Sequence, residues 1–383
     1  MRVVMVIGQF HPVIGGAEQQ AQKLARSLVD RGIKVEIVTE WLAGLPLAEV
    51  IDGIPVSRIF GFGRLPGTRR IGKYIFMALL CRHLIRRRHE YSIVHCHQIE
   101  YPLIGCILAS YRTKKPIISK LSGANQNGDF GRLSASFLGG RKIANWVQHR
   151  VDRFIATSNQ IYCDLIQRGI GENAIARIPN GVVVGPNPAS LNTNRVLYVG
   201  RLAQIKGVDI LLQAWTQVIQ AWPNLKLVII GDGPMREQLE AFAKDAGISE
   251  SIEFHGFLTQ AEIQTQLREG GIYVQPSRSE GLSNSLLEAM AAALPCIATA
   301  VGGNIDLIQH KETGLLVAPE DPSALASAID GLLLNHQSAE SLGTQANKFA
   351  RKAYSIDSVA ENYIRLYQDL LDSNDSFDTG RRG

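Results

Sequence analysis

The sequence predicts an α/β protein made of two doubly wound domains. Short apolar runs alternate with amphipathic helical stretches along the chain, which is the pattern of parallel strands connected by helices. The pattern restarts at Arg195 after residues 176–188, a Pro-, Gly- and Asn-rich segment that indicates an interdomain linker. Open α/β sheets bind ligands outside the carboxyl ends of their strands, so we expect a cleft between the two domains at those ends.

Length and composition are consistent with two folded domains. The 383 residues are enough for two or three domains, and 45% hydrophobic with 20% charged residues allows sizeable cores. The five cysteines show no paired spacing, which indicates reduced thiols in a cytoplasmic protein. Residues 1–8 are typical of a first buried strand and not of a signal peptide, and no apolar run approaches about 18 residues.

Charge is distributed unevenly along the chain. Residues 1–185 contain 25 Lys and Arg against 12 Asp and Glu, a net charge of +13. Residues 186–383 contain 15 against 23, a net charge of −8, and the two sum to the overall +5. This asymmetry indicates an anionic partner for the first half, such as membrane lipid or a lipid-pyrophosphate acceptor. Nucleic acid fits the charge as well, but no nucleic-acid-binding motif occurs in the sequence.

Residues 277–306 contain the strongest candidate for a ligand site. A polar loop leads from an apolar strand into a short helix that begins with residue types that cap helices, Ser283 among them. A helix N-terminus of this kind binds anions. Glu280 precedes the helix and Glu288 lies one turn inside it. One interpretation is that the two carboxylates only complement the helix dipole, but this explains one of them well and not both. Two carboxylates beside a phosphate would repel it unless they bind hydroxyl groups.

This stretch resembles the signature of the retaining glycosyltransferases of family 4. The two glutamates have seven residues between them and are followed by Ala-Met-Ala at 289–291 and by Gly-Gly at 302–303. The chain departs from the usual pattern at Ala293, where Gly is common, and at Asp306, where Glu is common. Neither departure removes a residue that the resemblance makes a ligand.

The resemblance implies the GT-B fold, in which two Rossmann-like domains face each other across a cleft. We expect an N-terminal, acceptor-side domain at residues 1–183 and a C-terminal, nucleotide-sugar-binding domain at residues 184–355. A last helix, residues 356–372, is expected to pack back on the first domain. Residues 373–383 are expected to form a flexible tail because they are polar.

The resemblance also implies roles for residues of the second domain. It assigns Glu288 to the ribose of the nucleotide and Glu280 to hydroxyl groups of the transferred sugar. The backbone near Leu258 is expected to face the base. Amides at the start of the helix are expected to meet the distal phosphate, and the residues concerned are Ser283, Ser285, Leu286 and Leu287.

Two basic residues and a glycine pair are candidates for contact with a diphosphate. Arg201 and Lys206 follow a strand end at a spacing that lets two cations clamp a diphosphate, and they match the diphosphate-binding Arg and Lys of the resembled family. Gly15 and Gly16 lie between a strand and a helix. Alone such a pair is usually a turn, but the resemblance implies that their amides approach the diphosphate.

Two further residues of the first half are candidates for contact with substrate. His95 and His97 end a strand, and we expect them on opposite faces, so that they do not form a metal pair. We take His97 as a candidate substrate contact, with a structural role as the alternative. Asp129 follows Asn125 and Asn127 in a polar loop, where it either binds the acceptor, acts as base, or is a turn residue. Ser122 stands where many family members have a histidine.

Residues 63–90 combine basic and apolar side chains at helical spacing. One interpretation is a helix that lies on an anionic membrane surface, where each basic residue contributes about 1 kcal/mol. The other is an ordinary core-facing helix with a solvated basic face.

The sequence as a whole predicts a retaining glycosyltransferase that uses a nucleotide-diphosphate sugar. Among such donors, we expect a UDP-sugar. The acceptor is expected to be a hydroxyl of a glycan or lipid-linked intermediate in cell-envelope or exopolysaccharide synthesis. No D-x-D occurs, and we expect neither a metal nor a cofactor beyond the donor. The sequence leaves open whether Asp129, His97 or the donor diphosphate acts as the base.

Two alternative functions are a GT-B sugar-nucleotide epimerase and an inactive nucleotide-sugar-binding scaffold. The expected location of the protein is cytoplasmic, at the inner face of the plasma membrane.

Overall fold

The computed structural model describes residues 1–13, 15–61, 69–124, 128–137, 139–185, 189 and 191–379. Side chains at 69–70 and 374–379 are not described, and the predicted loop residues Asn125 and Asn127 and positions 63–68 lie outside the described part. The chain forms two compact units. One contains Met1–Gly181 with Ile356–Gly383, and the other contains Val182–Ser355.

The first unit is built on a sheet that has eight strands among the described residues, in the order β3-β4-β2-β1-β5-β6-β7-β8. All neighbouring pairs are parallel except β3 with β4. The strands are β1 Arg2–Val6, β2 Lys34–Glu40, β3 Ala48–Ile51, β4 Ile54–Ile59, β5 Ile93–His97, β6 Ile117–Lys120, β7 Arg153–Ala156 and β8 Ile175–Arg177. The order reverses between β1 and β5, so a ligand is expected at their carboxyl ends.

The sequence analysis did not predict the hairpin of β3 and β4. Its turn consists of Asp52 and Gly53, whose φ angles are 50° and 76°. Two consecutive positive φ angles are the conformation of the hairpin turn that Asp-Gly favours. The Asp-Gly pair was therefore the signal that could have found this edge strand.

The second unit is built on a sheet of six strands in the described part of the chain, in the order β11-β10-β9-β12-β13-β14. All its pairs are parallel. The strands are β9 Arg195–Val199, β10 Lys226–Ile230, β11 Ile252–Gly256, β12 Ile272–Gln275, β13 Cys296–Thr299 and β14 Leu315–Val317. The order reverses between β9 and β12, and the ligand position of a doubly wound sheet is at the carboxyl ends of those two strands. Both units therefore have the predicted doubly wound arrangement.

Helices cover both faces of each sheet, and hydrophobic clusters lie on both sides of each. The helices are α1 Gly16–Asp30, α2 Arg69–Arg86, α3 Tyr101–Thr113, α4 Asp129–Ser136, α5 Gly140–Gln148, α6 Asn159–Gln167, α7 Val208–Ala221, α8 Arg236–Asp245, α9 Gln260–Arg268, α10 Asn284–Ala291, α11 Asn304–Leu307, α12 Pro322–Leu334, α13 His336–Tyr354 and α14 Ile356–Thr379.

Helix α14 belongs to the first unit although it follows the second in sequence. Val359, Tyr363 and Tyr367 recur at helical spacing and are buried in the core of the first sheet. The helix continues to Thr379, whereas the sequence predicted a flexible tail from residue 373. No Gly or Pro occurs between 356 and 379, so nothing in the sequence ends the helix before Gly380. Residues 373–379 are therefore helical, and their flexibility stays a prediction.

Helix α2 carries the basic stretch for which two interpretations were open. Phe76, Leu80 and Leu84 are buried in the core, as an ordinary core-facing helix requires. Ile71 and Tyr74, near its start, are 62% and 55% exposed. Among the described residues, no helix combines the length and the apolar character that crossing a bilayer requires.

Candidate ligand-binding site

The loops after β9 and β12 lie side by side at the carboxyl edge of the second sheet. The two strands are neighbours, and the Arg278 amide donates to the Ile205 carbonyl oxygen at 2.9 Å. Gly207 has a φ of 66°, and a Cβ atom there would overlap the Pro276 carbonyl oxygen. Only glycine meets both conditions, so the residue lets the two loops pack closely.

Lys206 and Glu280 form an ion pair across these loops. The Lys206 Nζ atom is 2.6 Å from Oε1 of Glu280, and the Glu280 residue is only 8% exposed. Oε1 also accepts hydrogen bonds from Ser277 Oγ at 2.7 Å and from Gln275 Nε2 at 3.1 Å. Three donors on one oxygen fix the orientation of the carboxylate. The residue predicted to hold the sugar is thus coupled to one predicted to bind the diphosphate.

Gln275 is the centre of this network, and the sequence analysis missed it. Its side chain is buried, and its amide oxygen accepts hydrogen bonds from three hydroxyls, those of Tyr273 at 2.8 Å, Ser283 at 3.1 Å and Ser285 at 3.3 Å. Its amide nitrogen donates to Ser277 and Glu280. One side chain therefore connects the end of β12 to Glu280 and to the start of α10. A glutamine that ends an otherwise apolar strand was the signal that could have found it.

The start of α10 is capped as predicted. Ser283 is the residue before the helix, and its Oγ accepts a hydrogen bond from the Leu286 amide at 3.3 Å. The Leu287 amide donates to the Ser283 carbonyl oxygen at 3.1 Å. The Leu286 and Leu287 side chains are fully buried. Two of the four amides predicted to meet a phosphate, those of Leu286 and Leu287, are therefore engaged at the cap.

Glu288 lies one turn inside α10 and is 5% exposed. One of its oxygens, Oε1, accepts a hydrogen bond from Gln260 Nε2 at 3.0 Å. Gln260 is the first residue of α9 and comes two positions after Leu258, the residue predicted to face a base. The structure thus brings the predicted ribose-binding residue next to the predicted base-binding segment. Gln260 is a second residue that the sequence analysis missed.

Arg201 follows Gly200, the first residue after β9, and its side chain is exposed. Its carbonyl oxygen accepts a hydrogen bond from the Tyr198 hydroxyl at 3.1 Å, which anchors the backbone at this point. Within the described part of the chain, no acid pairs with its guanidinium. Arg201 therefore offers an uncompensated positive charge, in contrast to Lys206.

Gly15 and Gly16 begin α1 of the first unit. The Gly15 amide donates to the Glu18 Oε2 atom at 2.9 Å. Burial raises the pKa of Glu18 above its ordinary value. The Gly15 amide, predicted to approach a diphosphate, is therefore engaged by the carboxylate at the third position of its own helix.

The prediction that His95 and His97 point to opposite faces of their strand is wrong. Their rings stack with centroids 4.4 Å apart and planes inclined by 20°. Alternate residues of a strand share a face, so the residue between them, Cys96, is the one that points away. Burial lowers the pKa of His97 well below its ordinary value, which leaves its ring neutral. Among the described residues, no three potential ligands come together in a group that could hold a metal ion.

Asp129 is completely buried at the start of α4. Its carboxylate accepts hydrogen bonds from the amides of Ser122 and Gly123, both at 2.8 Å, and from Arg132 at 3.0 Å. The Ser122 hydroxyl, at the position where relatives often have histidine, also donates to it at 3.2 Å. These contacts fit the alternative in which Asp129 holds its own loop.

Lys120 ends β6 and is 7% exposed. It is the register partner of His97 on the neighbouring strand. Burial lowers the pKa of Lys120 to about 7. The carboxyl edge of the first sheet therefore combines a buried lysine with two neutral histidines, a feature that the sequence analysis did not single out.

Two family models match the chain, one after the other. Residues 14–185 match the model described as glycosyltransferase family 4, and residues 185–349 match the model described as glycosyl transferases group 1. Together the two models extend over residues 14–349, which include every candidate residue described above.

Relatives of known or assigned class match over nearly the whole chain. An uncharacterized glycosyltransferase of Methanocaldococcus jannaschii is 24% identical, over 96% of this chain and 98% of that protein. The 2-deoxystreptamine N-acetyl-D-glucosaminyltransferase of Niallia circulans is 25% identical, over 92% of this chain and 97% of that protein. The crystal structure of Anabaena Alr3699/HepE in complex with UDP-glucose is similar with a TM-score of 0.78 at 19% identity, covering 96% and 100% of the two chains. This likeness confirms the predicted fold class, the α/β GT-B fold.

Proposed function

Because the chain belongs to the group 1 glycosyltransferases of family 4, we propose that it transfers the sugar of a UDP-sugar to a hydroxyl group with retention of anomeric configuration. The observation that carries this proposal is the network of Lys206, Glu280, Gln275 and Ser283 at the carboxyl end of β12. It places a cation, a fixed carboxylate and a helix N-terminus together, which are the groups that a phosphorylated sugar requires. Glu288 and Gln260 extend the site toward a nucleoside.

The choice of UDP rests on the likeness to a known UDP-sugar complex. HepE, which shares the fold over 96% of this chain, has been solved with UDP-glucose. In the proposed complex, Glu288 binds the ribose and the backbone at Leu258 contacts the base. Glu280 binds hydroxyl groups of the sugar, and its buried, triply bonded carboxylate oxygen gives it one orientation.

The proposed chemistry is electrostatic. The bond between the anomeric carbon and the diphosphate oxygen breaks, and negative charge develops on the diphosphate. Arg201 and Lys206 stabilise that charge, since preformed cations at a developing charge are effective catalysts. Lys206 has three N–H donors, so it can keep its bond to Glu280 and still bind a phosphate oxygen. The acceptor oxygen bonds to the same face of the carbon, and its proton passes to the departing diphosphate oxygen.

The departing diphosphate is the base that the geometry favours. The carboxylate of Asp129 accepts hydrogen bonds from two backbone amides, from Ser122 and from Arg132, and these bonds hold it to its own loop. Burial lowers the pKa of His97 well below its ordinary value, which makes its ring a weak proton acceptor. A proton transfer within the reacting pair needs neither residue, and it is compatible with Ser122 in the place of a histidine.

We further propose that the acceptor is a glycan or a lipid-linked intermediate in cell-envelope or exopolysaccharide synthesis. The net charge of +13 over residues 1–185 suits an acceptor that carries phosphate and lies at an anionic membrane. The exposed Ile71 and Tyr74 at the start of α2, with the exposed Arg82 and Arg86 further along it, form the surface proposed for membrane contact. This surface is narrower than the full stretch 63–90.

The experiment that tests the proposal is a transfer reaction with product analysis. The protein is incubated with an α-linked UDP-sugar and a mixture of glycan and lipid-linked acceptors, and the new linkage is identified by NMR. An α-linkage in the product supports the proposal, and a β-linkage contradicts retention. Release of a free or altered sugar that does not depend on acceptor supports an epimerase, and the absence of any turnover supports a scaffold.

A further inference from the structure

Gln260 uses only one end of its carboxamide within the protein. Its Nε2 atom donates to Oε1 of Glu288 at 3.0 Å. Its Oε1 atom is fully buried, and among the described residues no group donates a hydrogen bond to it. Because a carboxylate only accepts hydrogen bonds, the amide nitrogen must face Glu288 and the amide oxygen must face away from it.

Gln275, the other glutamine of the site, makes hydrogen bonds with both ends of its carboxamide. Gln275 receives hydrogen bonds from three hydroxyl groups on its oxygen and donates two from its nitrogen. Buried polar atoms nearly always find a partner, so an unpartnered acceptor beside a binding carboxylate indicates a position for a donor group. Each of the two glutamates accepts a hydrogen bond from one glutamine, and of these two glutamines Gln260 is the one that keeps a buried acceptor unused.

The backbone at Gln260 is held rigidly. Gln260 is the first residue of α9 and follows Thr259, whose amide donates to the Glu262 carboxylate at 2.7 Å. The Glu262 amide in turn donates to the Thr259 hydroxyl at 3.3 Å, which completes a capping box. With the backbone and the amide nitrogen both fixed, the oxygen of Gln260 has a defined position next to Glu288.

We propose that Gln260 recognises the ribose of the donor: its amide oxygen accepts a hydrogen bond from a ribose hydroxyl that lies beside Glu288. This inference rests on the proposed function, in which Glu288 binds the ribose. A ribose offers two neighbouring hydroxyl donors, and the carboxylate and the carboxamide offer two neighbouring acceptors. A deoxyribose leaves one of these acceptors buried without a donor. Gln260 therefore makes the site selective for ribonucleotide sugars over deoxyribonucleotide sugars.

Calorimetric binding of UDP, 2′-deoxy-UDP and 3′-deoxy-UDP tests this assignment. The variants are Gln260→Met, which removes both ends of the carboxamide, and Gln260→Lys, which keeps an N–H donor for Glu288 and removes the acceptor. Gln264→Met, one turn further along α9, is the matched control. We expect the preference for UDP over one deoxy form to fall about fivefold or more in both Gln260 variants, the value of one neutral hydrogen bond, and to be unchanged in the control.

The ratio of two affinities within one variant does not depend on how much of the protein is folded. If both Gln260 variants keep the wild-type preference while Glu288→Ala loses affinity for UDP, Gln260 does not recognise ribose, although the proposed function stands. If the wild type binds none of the three nucleotides, the UDP-binding function fails and this inference fails with it.

Discussion

The ammonium nitrogen of Lys206 lies 2.6 Å from Oε1 of Glu280, although the two residues follow different strands, β9 and β12. The pair exists because these strands are neighbours and because Gly207 allows the loops after them to pack closely. A single bond to Glu280 leaves Lys206 two further N–H donors. The ion pair therefore orients a cation for a phosphate while it orients a carboxylate for a sugar.

Replacement of Lys206 by methionine is expected to lower kcat for sugar transfer by about 100-fold, because one preformed donor to a developing charge typically contributes that much. Lys206→Arg keeps the charge and is expected to retain more of the activity. The exposed Lys244 of α8 provides the control Lys244→Met, which should have wild-type kinetics. A Lys206→Met enzyme with unchanged kcat would show that Lys206 only supports Glu280.

Replacement of Gln275 by leucine is expected to lower both stability and kcat. The change removes a partner from the buried hydroxyls of Tyr273 and Ser283 and from the half-buried hydroxyl of Ser285, and it removes one donor from Glu280. Each buried group left unsatisfied costs about 1–3 kcal/mol. Urea unfolding measures the loss of stability, and transfer kinetics measure kcat. Gln213→Leu, at an exposed position of α7, is the control. A variant with normal activity and stability would mean that the network does not position Glu280.

Lys120 is expected to make stability depend on pH. Burial lowers its pKa from 10.5 to about 7, so between these values the unfolded chain binds a proton that the folded chain does not. Stability therefore rises with pH through this window, by at most about 1.4 kcal/mol per pH unit. We expect Lys120→Met to increase the free energy of unfolding at pH 7 and to flatten its rise toward about pH 9. Urea unfolding at several pH values, with the exposed Lys142→Met as control, checks both effects; equal slopes in all three proteins would contradict the assignment.

The exposed face at the start of α2 is expected to contribute to binding of anionic membranes. Ile71 and Tyr74 are 62% and 55% exposed, so their replacement by serine should cost little stability. We expect the double variant to co-sediment about tenfold less with vesicles that contain anionic lipid. Leu334→Ser, at an exposed apolar position in the second unit, is the control. Equal sedimentation of the variant and the wild type, or no preference for anionic lipid, would remove α2 as the contact surface.

The successful predictions depended on local sequence. The order of strands, loops and helices correctly predicted the two doubly wound sheets, and the capping residue type at Ser283 correctly predicted the start of α10. The roles of Gln275 and Gln260 could not be derived in this way, because each bonds to residues that only the fold brings close. The face of His97 was predictable from strand geometry, and that prediction was wrong because the alternation was assigned incorrectly. The contacts of Asp129 required the tertiary structure, since amides at 122–123 reach it from the preceding strand end.

The most direct test of the central claim is the affinity for a panel of UDP-, GDP- and ADP-sugars, measured by calorimetry for the wild type, Glu288→Ala and the exposed control Glu340→Ala. We predict that the wild type and the control bind UDP-sugars best, and that Glu288→Ala binds them at least about tenfold more weakly, the loss expected for a hydrogen bond to a charged group. Binding that is the same in all three proteins, or no binding of any nucleotide sugar, would contradict the assignment of this site to the donor.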